Sequence, residues 1–191
     1  MDRSVSADQL LRSAREAAGT RNVREAVREL TLHALRSRLL TARHIAIVAR
    51  TVGAGIDSSD VPPTAPVRDT NRGAWAGLED AVDRALQAYE IAAREFAEGR
   101  ARLPPGERER LLAEIAQMEC NLGEGWGYAH AVPASLKGRI ARMTAFLGKA
   151  SADGPATAAP SEVPSAGGVL CFVASGVLLG LSETARGPTS L

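Results

Sequence analysis

The chain has 191 residues, 23 basic against 22 acidic side chains, and a mean hydropathy of −0.08. That length supports one domain with a real core. The near-zero hydropathy and the 24% of charged residues exclude both a multi-span membrane protein and a disordered polyelectrolyte. Aromatics make up only 4%, and arginine outnumbers lysine 21 to 2 among abundant Ala, Leu and Glu. This composition favours helices over a β-sandwich. The net charge of +1 hides a gradient: residues 1–50 carry ten Arg against five acids, and residues 51–100 carry five Arg against nine acids. Either the basic third faces an anionic partner, or the two regions attract each other within one bundle.

Ser6 with Gln9 forms a capping-box pattern that opens a first helix, and Gly19 stops it. Asn22 with Glu25 repeats the pattern, and Val23, Val27, Leu30 and Ala34 then fall on one helical face. Thr41 caps a third helix with Ile45, Val48 and Val52 on one side, running to about Val52, where Gly53 and Gly55 end it. Residues 57–70 hold three prolines and read as a loop. Thr70 or Asn71 opens the longest helix, which reaches about Glu98. There Trp75, Val82, Tyr89 and Phe96 recur every seven residues, with Leu78, Ala85 and Ala92 between them. This heptad stripe packs against the N-terminal helices, a second copy of itself, or another helical protein as a coiled coil. Asp80–Arg84 and Glu90–Arg94 have the spacing of ion pairs within the helix.

Pro104, Pro105 and Gly106 form a corner, and Glu107 and Glu109 suit the start of the next helix, whose buried stripe is Leu111, Ile115, Met118 and Leu122. Gly123 to Pro133 reads as a glycine-rich aromatic loop. Trp126 and Tyr128 are expected to fold back onto the bundle, since no strand precedes the loop and no lysine lies in it to cradle phosphate. Ser135 caps a sixth helix carrying Leu136, Ile140, Met143 and Leu147, and residues 149–166 read as a linker. The last element, Gly167 to Leu181, is apolar and uncharged. Gly176 and Gly180 form a G-x-x-x-G pair, extended by Phe172 and Gly168 at the same spacing. A bilayer crossing needs about 20 apolar residues. The segment sits at that margin, and a short helix packed on the bundle is the competing reading.

Enzyme chemistry is not expected. Neither a Walker A loop nor a G-x-G-x-x-G, H-E-x-x-H or G-x-S-x-G motif occurs. His33 and His44 fall on different helices, His130 lies in the aromatic loop, and Cys120 and Cys171 are two scattered thiols. No catalytic residue, metal site or cofactor is therefore expected. A helix-turn-helix reading would place Arg43 and Arg50 on a recognition helix, but the partly basic face makes a nucleic-acid partner the weaker reading. The sequence leaves the small-molecule partner unknown.

The stretches V-R-E-A-V-R-E-L-T-L-H-A-L and L-T-A-R-H-I-A-I-V-A-R-T-V-G-A-G-I precede L-E-D-A-V-D-R-A-L-Q-A-Y-E-I-A-A-R-E-F. Over residues 20–100 this pattern resembles an uncharacterised bacterial all-helical domain-of-unknown-function family. The resemblance implies helices and a broad likeness to phasin-like or apolipoprotein-like coats, with no implied activity.

The expected fold is therefore all-α: an irregular bundle of about six amphipathic helices with a tethered apolar C-terminal helix. The expected parts are basic helices over residues 1–56, the proline loop 57–70, a bundle with the long heptad helix over 71–148, the linker 149–166 and the apolar segment 167–182. The first functional expectation is a non-enzymatic helical interaction protein, cytoplasmic and attached to the inner membrane through its C-terminal helix. The alternative is a soluble ligand- or nucleic-acid-binding helical regulator with that segment buried in the bundle.

Overall fold

The computed structural model describes residues 6–59, 67–98, 107–126, 131–149 and 174–178, and every element among them is helical. The helices are α1 (Ala7–Ala18), α2 (Val23–Arg36), α3 (Ala42–Asp57), α4 (Val67–Ala97), α5 (Glu107–Gly125) and α6 (Ala134–Lys149). Residues 174–178 add a short helical piece. The linker and the proline and Pro-Pro-Gly corners fall largely or wholly outside the described residues.

Local chemistry explains the starts of α1 and α3 and fails at two others. Ser6 Oγ accepts from Gln9 N–H at 3.2 Å, and Thr41 Oγ1 accepts from His44 N–H at 2.9 Å, so both act as the expected caps. Asn22 precedes α2, but its side chain makes no cap bond. Glu25, its expected partner, turns instead to Arg28 at 2.9 Å. Ser135 lies inside α6 rather than at its cap, and its hydroxyl donates to Glu79 Oε1 of α4 at 3.0 Å.

Each helix packs most extensively on the helix after next. α1, α3 and α5 form one row, α2, α4 and α6 form a second, and the rows meet where α1 packs on α2, α3 on α4 and α5 on α6. One continuous core runs through all six. α4 is the hub of its row: from Ala74 to Ala93 none of its residues is fully exposed. The stripes of α5 (Leu111, Ile115, Met118, Leu122) and α6 (Leu136, Ile140, Met143, Leu147) are buried as their periodicity required.

Three helix boundaries differ from the expected ones. α3 does not stop at Gly53 and Gly55 but runs through them to Asp57. A Cβ on Gly55 would lie 2.6 Å from Ala14 Cβ and 2.8 Å from the Leu11 carbonyl oxygen, so this glycine lets α3 approach α1. α4 starts at Val67, inside the expected loop, and uses two glycines in the same way. A Cβ on Gly73 would lie 2.8 Å from Val23 Cγ1. One on Gly77 would collide with the Arg24 carbonyl oxygen and lie 3.0 Å from its carbonyl carbon. This Gly73-x-x-x-Gly77 groove seats the first turn of α2. α5 extends through Gly123 to Gly125, because Trp126 N–H still bonds to the Leu122 carbonyl at 2.9 Å and the Trp126 ring anchors the end.

Among the described residues no helix is long and apolar enough to cross a membrane, and of the expected apolar segment 167–182 only residues 174–178 are described. The described part of the apolar segment packs on the bundle. Ala174 and Leu178 are buried, and Val177 leans on the core.

Candidate interaction site

The heptad residues Trp75, Val82, Tyr89 and Phe96 all lie in the chain's own core, the most exposed of them at 7%. Trp75 meets Trp126 with ring centroids 6.0 Å apart and planes tilted by 46°, a favourable geometry for aromatic pairs. That contact ties α4 to the end of α5. The aromatic segment therefore supplies a core plug through Trp126, while Tyr128 and His130 lie outside the described residues.

The polar side of α4 forms an ionic seam with its row neighbours. Arg24 of α2 donates from Nε to Asp80 Oδ2 at 2.8 Å and from Nη2 to Oδ1 at 3.1 Å. Arg139 of α6 donates through Nε and Nη2 to both oxygens of Asp83, and through Nη1 to Glu90 Oε2 at 2.9 Å. Arg142 donates from Nε to Glu90 Oε1 at 2.6 Å. Asp80 and Glu90, which had the spacing to pair along α4, thus reach across to other helices, and Arg94 pairs with Glu98 instead. Arginine suits this role because its planar fork meets both carboxylate oxygens. Burial alone would raise the Glu90 carboxyl, but Arg142 and Arg139 outweigh it and hold the group below the ordinary carboxylate range. An open depression of about 390 Å³ lies beside the seam, lined by Glu79, Asp80, Asp83, Ser135, Arg139 and Arg142 among others. Asp80, Asp83, Arg139 and Arg142 in its lining are held in ion pairs that join α4 to α2 and α6, and Glu79 accepts from Ser135. Among the described residues no cluster of three or more His, Cys, Asp or Glu could hold a metal ion.

The solvent side of α3 is built differently. Arg43, Ile47, Arg50 and Ala54 follow at spacings of four, three and four and are all exposed. Arg38 and Leu39, on the turn before α3, are exposed as well. Leu39 at 45% and Ile47 at 39% are the exposed large hydrophobics among the described residues. His44, on the flank of this stripe, donates from Nε2–H to the Ala34 carbonyl oxygen at 3.1 Å. Burial pushes its imidazole down from the ordinary histidine value, with Arg38 adding to the effect. His33 stands exposed on α2, and the structure does not bring it to His44 as a ligand pair.

The turn between α2 and α3 is also where the C-terminal piece lands. The Leu40 backbone N–H donates to Ser175 Oγ at 2.9 Å, and Leu40 itself is fully buried. Gly176, the described member of the expected small-residue row, is exposed, and a Cβ there would meet nothing within 4 Å. Gly168, Phe172, Gly180 and Cys171 lie outside the described residues. Cys120 is a free, exposed thiol on α5. The sequence reading put Arg43 and Arg50 on one partly basic face of α3 but passed over Ile47 between them. The signal of the stripe was present in Arg43, Ile47 and Arg50, whose spacing sets an apolar residue between two arginines on the face opposite Ile45, Val48 and Val52.

The match to a known family covers the first five helices, which include the α3 stripe and the α4 side of the ionic seam. The chain belongs to DUF6781, a family of unknown function. The DUF6781 profile matches residues 1–125, which end with α5. α6 and the C-terminal piece, which complete the bundle here, lie beyond the matched span. Comparison with the curated proteins and with the solved structures gives no match.

Proposed function

We propose that this DUF6781 chain is a non-catalytic helical binding module whose apolar C-terminal segment belongs to its own bundle, with the basic N-terminal third supplying the binding face. The observation that carries this reading is the seat of residues 174–178. Ala174 and Leu178 are buried in the core, and Ser175 Oγ accepts the backbone N–H of Leu40, a donor that lies 135 residues away in the chain. A segment evolved to face lipid acyl chains gains nothing from a hydroxyl bonded to a loop amide, whereas a buried N–H needs such a partner. The pairing of Asp80, Asp83 and Glu90 with arginines also supports a binding role, since carboxylates held in ion pairs are poor general acids or bases.

The test compares the full chain with a version ending at Ser161. Losing one buried leucine, one buried alanine and a half-buried valine should cost about 3 kcal/mol. For a chain of this size that is a fall in Tm of roughly 6–12 °C. The full chain should stay in the supernatant when membranes are pelleted. A full chain that pellets and resists carbonate washing, beside a shortened chain of equal Tm, would refute the reading and restore the anchor.

A further inference from the structure

We infer that the solvent side of α3, with the turn before it, is a docking surface for an acidic amphipathic helix of a partner protein. This names the partner class for the binding module proposed above and rests on that reading. Arg43 to Ala54 spans twelve residues, about 16 Å along the axis, or three turns of a partner helix. The stripe alternates charge and apolar contact: Arg43, Ile47, Arg50, then the small Ala54, with Arg38 and Leu39 at its N-terminal end. Among the described residues Arg38, Arg43 and Arg50 make no ion pair, whereas Arg24, Arg139 and Arg142 each hold a carboxylate. The one acid on the stripe is Asp57, at its far end.

The chemistry selects among anionic partners. Leu39 and Ile47 are the large apolar side chains exposed among the described residues, and both sit between these unpaired arginines. A phosphate backbone offers no apolar counterpart to them. A lipid surface would reach only these two side chains, because the broad apolar side of α3 (Ile45, Val48, Val52 and Ile56) is turned into the core. A helix with a Leu/Ala stripe flanked by Glu or Asp satisfies both at once: its apolar ridge covers Ile47 and Leu39, its carboxylates meet the arginines, and Ala54 allows close approach. A second copy of the chain fits less well, because Asp80, Asp83 and Glu90 of α4 are already paired with Arg24, Arg139 and Arg142. Ser175 holds the amide beside Leu39 and so fixes the turn that presents Arg38 and Leu39.

The experiment uses the full chain and a fluorescent three-heptad helical peptide with Leu and Ala on one face and Glu on both flanks. The same peptide with Lys for Glu, vesicles containing phosphatidylserine, and a short DNA duplex serve as comparisons. The Glu peptide is expected to bind saturably and the Lys peptide not to bind. Arg43→Glu with Arg50→Glu should weaken the Glu peptide by more than about tenfold, and Ile47→Ser should weaken it without changing its salt dependence. All three positions are exposed, so an unchanged circular dichroism spectrum and Tm will show that the variants fold. Absence of saturable Glu-peptide binding, or binding indifferent to the charge reversal, would overturn the proposal. So would vesicle or duplex binding that the charge reversal abolishes, which would assign the face to lipid or nucleic acid. Membrane pelleting that survives the charge reversal would sink the buried-tail reading while leaving the α3 face standing.

Discussion

Replacing Gly77 by alanine should destabilise the bundle, although the same change at Gly123 should stabilise it. Both glycines lie inside helices, where alanine is favoured by about 1 kcal/mol. They differ in what a methyl group would meet. At Gly77 it would meet three backbone atoms of Arg24: the carbonyl oxygen, the carbonyl carbon at 3.0 Å and Cα at 3.2 Å. No rotamer change can relieve a clash with backbone, so α2 must move off α4, the most extensive helix pair in the bundle. Overpacking of this kind costs about 1–3 kcal/mol, and a backbone obstacle belongs at the upper end. The net loss is then about 1–2 kcal/mol, or a fall in Tm of roughly 3–6 °C. At Gly123 a methyl would meet nothing within 4 Å, so the helix preference acts alone and Tm should rise by about 2–3 °C. Thermal melts of the two variants beside the parent chain settle the matter. If Gly77→Ala melts at or above the parent, α2 does not sit in the Gly73–Gly77 groove as described.

Further outcomes follow from the caps, the seam and the buried histidine. Thr41→Ala should cost about 1 kcal/mol by removing the bond to His44 N–H, while Asn22→Ala should be close to neutral because its side chain caps nothing, as denaturant midpoints of the two variants will show. Glu90→Ala should cost about 1 kcal/mol by removing the carboxylate that Arg139 and Arg142 share, leaving Arg139 with Asp83 alone. Because the Glu90 carboxyl titrates lower in the fold than in the unfolded chain, the unfolded state takes up its proton first. Its contribution is therefore complete above the unfolded carboxylate value and lost as pH falls through the folded one, and the gap between parent and Glu90→Gln should close on acidification. The His44 imidazole is likewise lowered in the fold, so its protonation favours unfolding. Stability should drop as pH falls below about 6.5, and His44→Gln should flatten that slope.

Most of the helical framework was legible because its signals are local. Ser6 and Thr41 bond to amides three residues away, and the stripes of α5 and α6 need only the 3.6-residue period to declare their buried side. What the sequence hid depends on a second helix. Gly19 ends α1, while Gly55 and Gly77 sit inside helices and let neighbours approach. The difference lies in Ala14 and Arg24, not in the glycines. Asp80 and Glu90 had acceptable bases four residues on, yet Arg24, Arg139 and Arg142 reach them from other helices with better fork geometry. The α3 stripe was obscured for a related reason: its exposure follows from α1 and α5 flanking α3 while α4 covers its inner side.

The alternation of helices between two rows bears on the order in which the chain can be assembled. A helical hairpin buries its faces as soon as two neighbours have been made, but here α1 must wait for α3, and α2 for α4. During synthesis from the N-terminus, the first turn of α2 stays without its glycine groove until Gly73 and Gly77 have left the ribosome. The carboxylates of α4 in turn wait for Arg139 and Arg142, near the end of the last full helix. No contiguous half of the chain holds a complete row, so a break anywhere inside it separates partners rather than subunits of structure. Such a chain should mature late and all at once, with its first two helices the most dependent on what is translated after them.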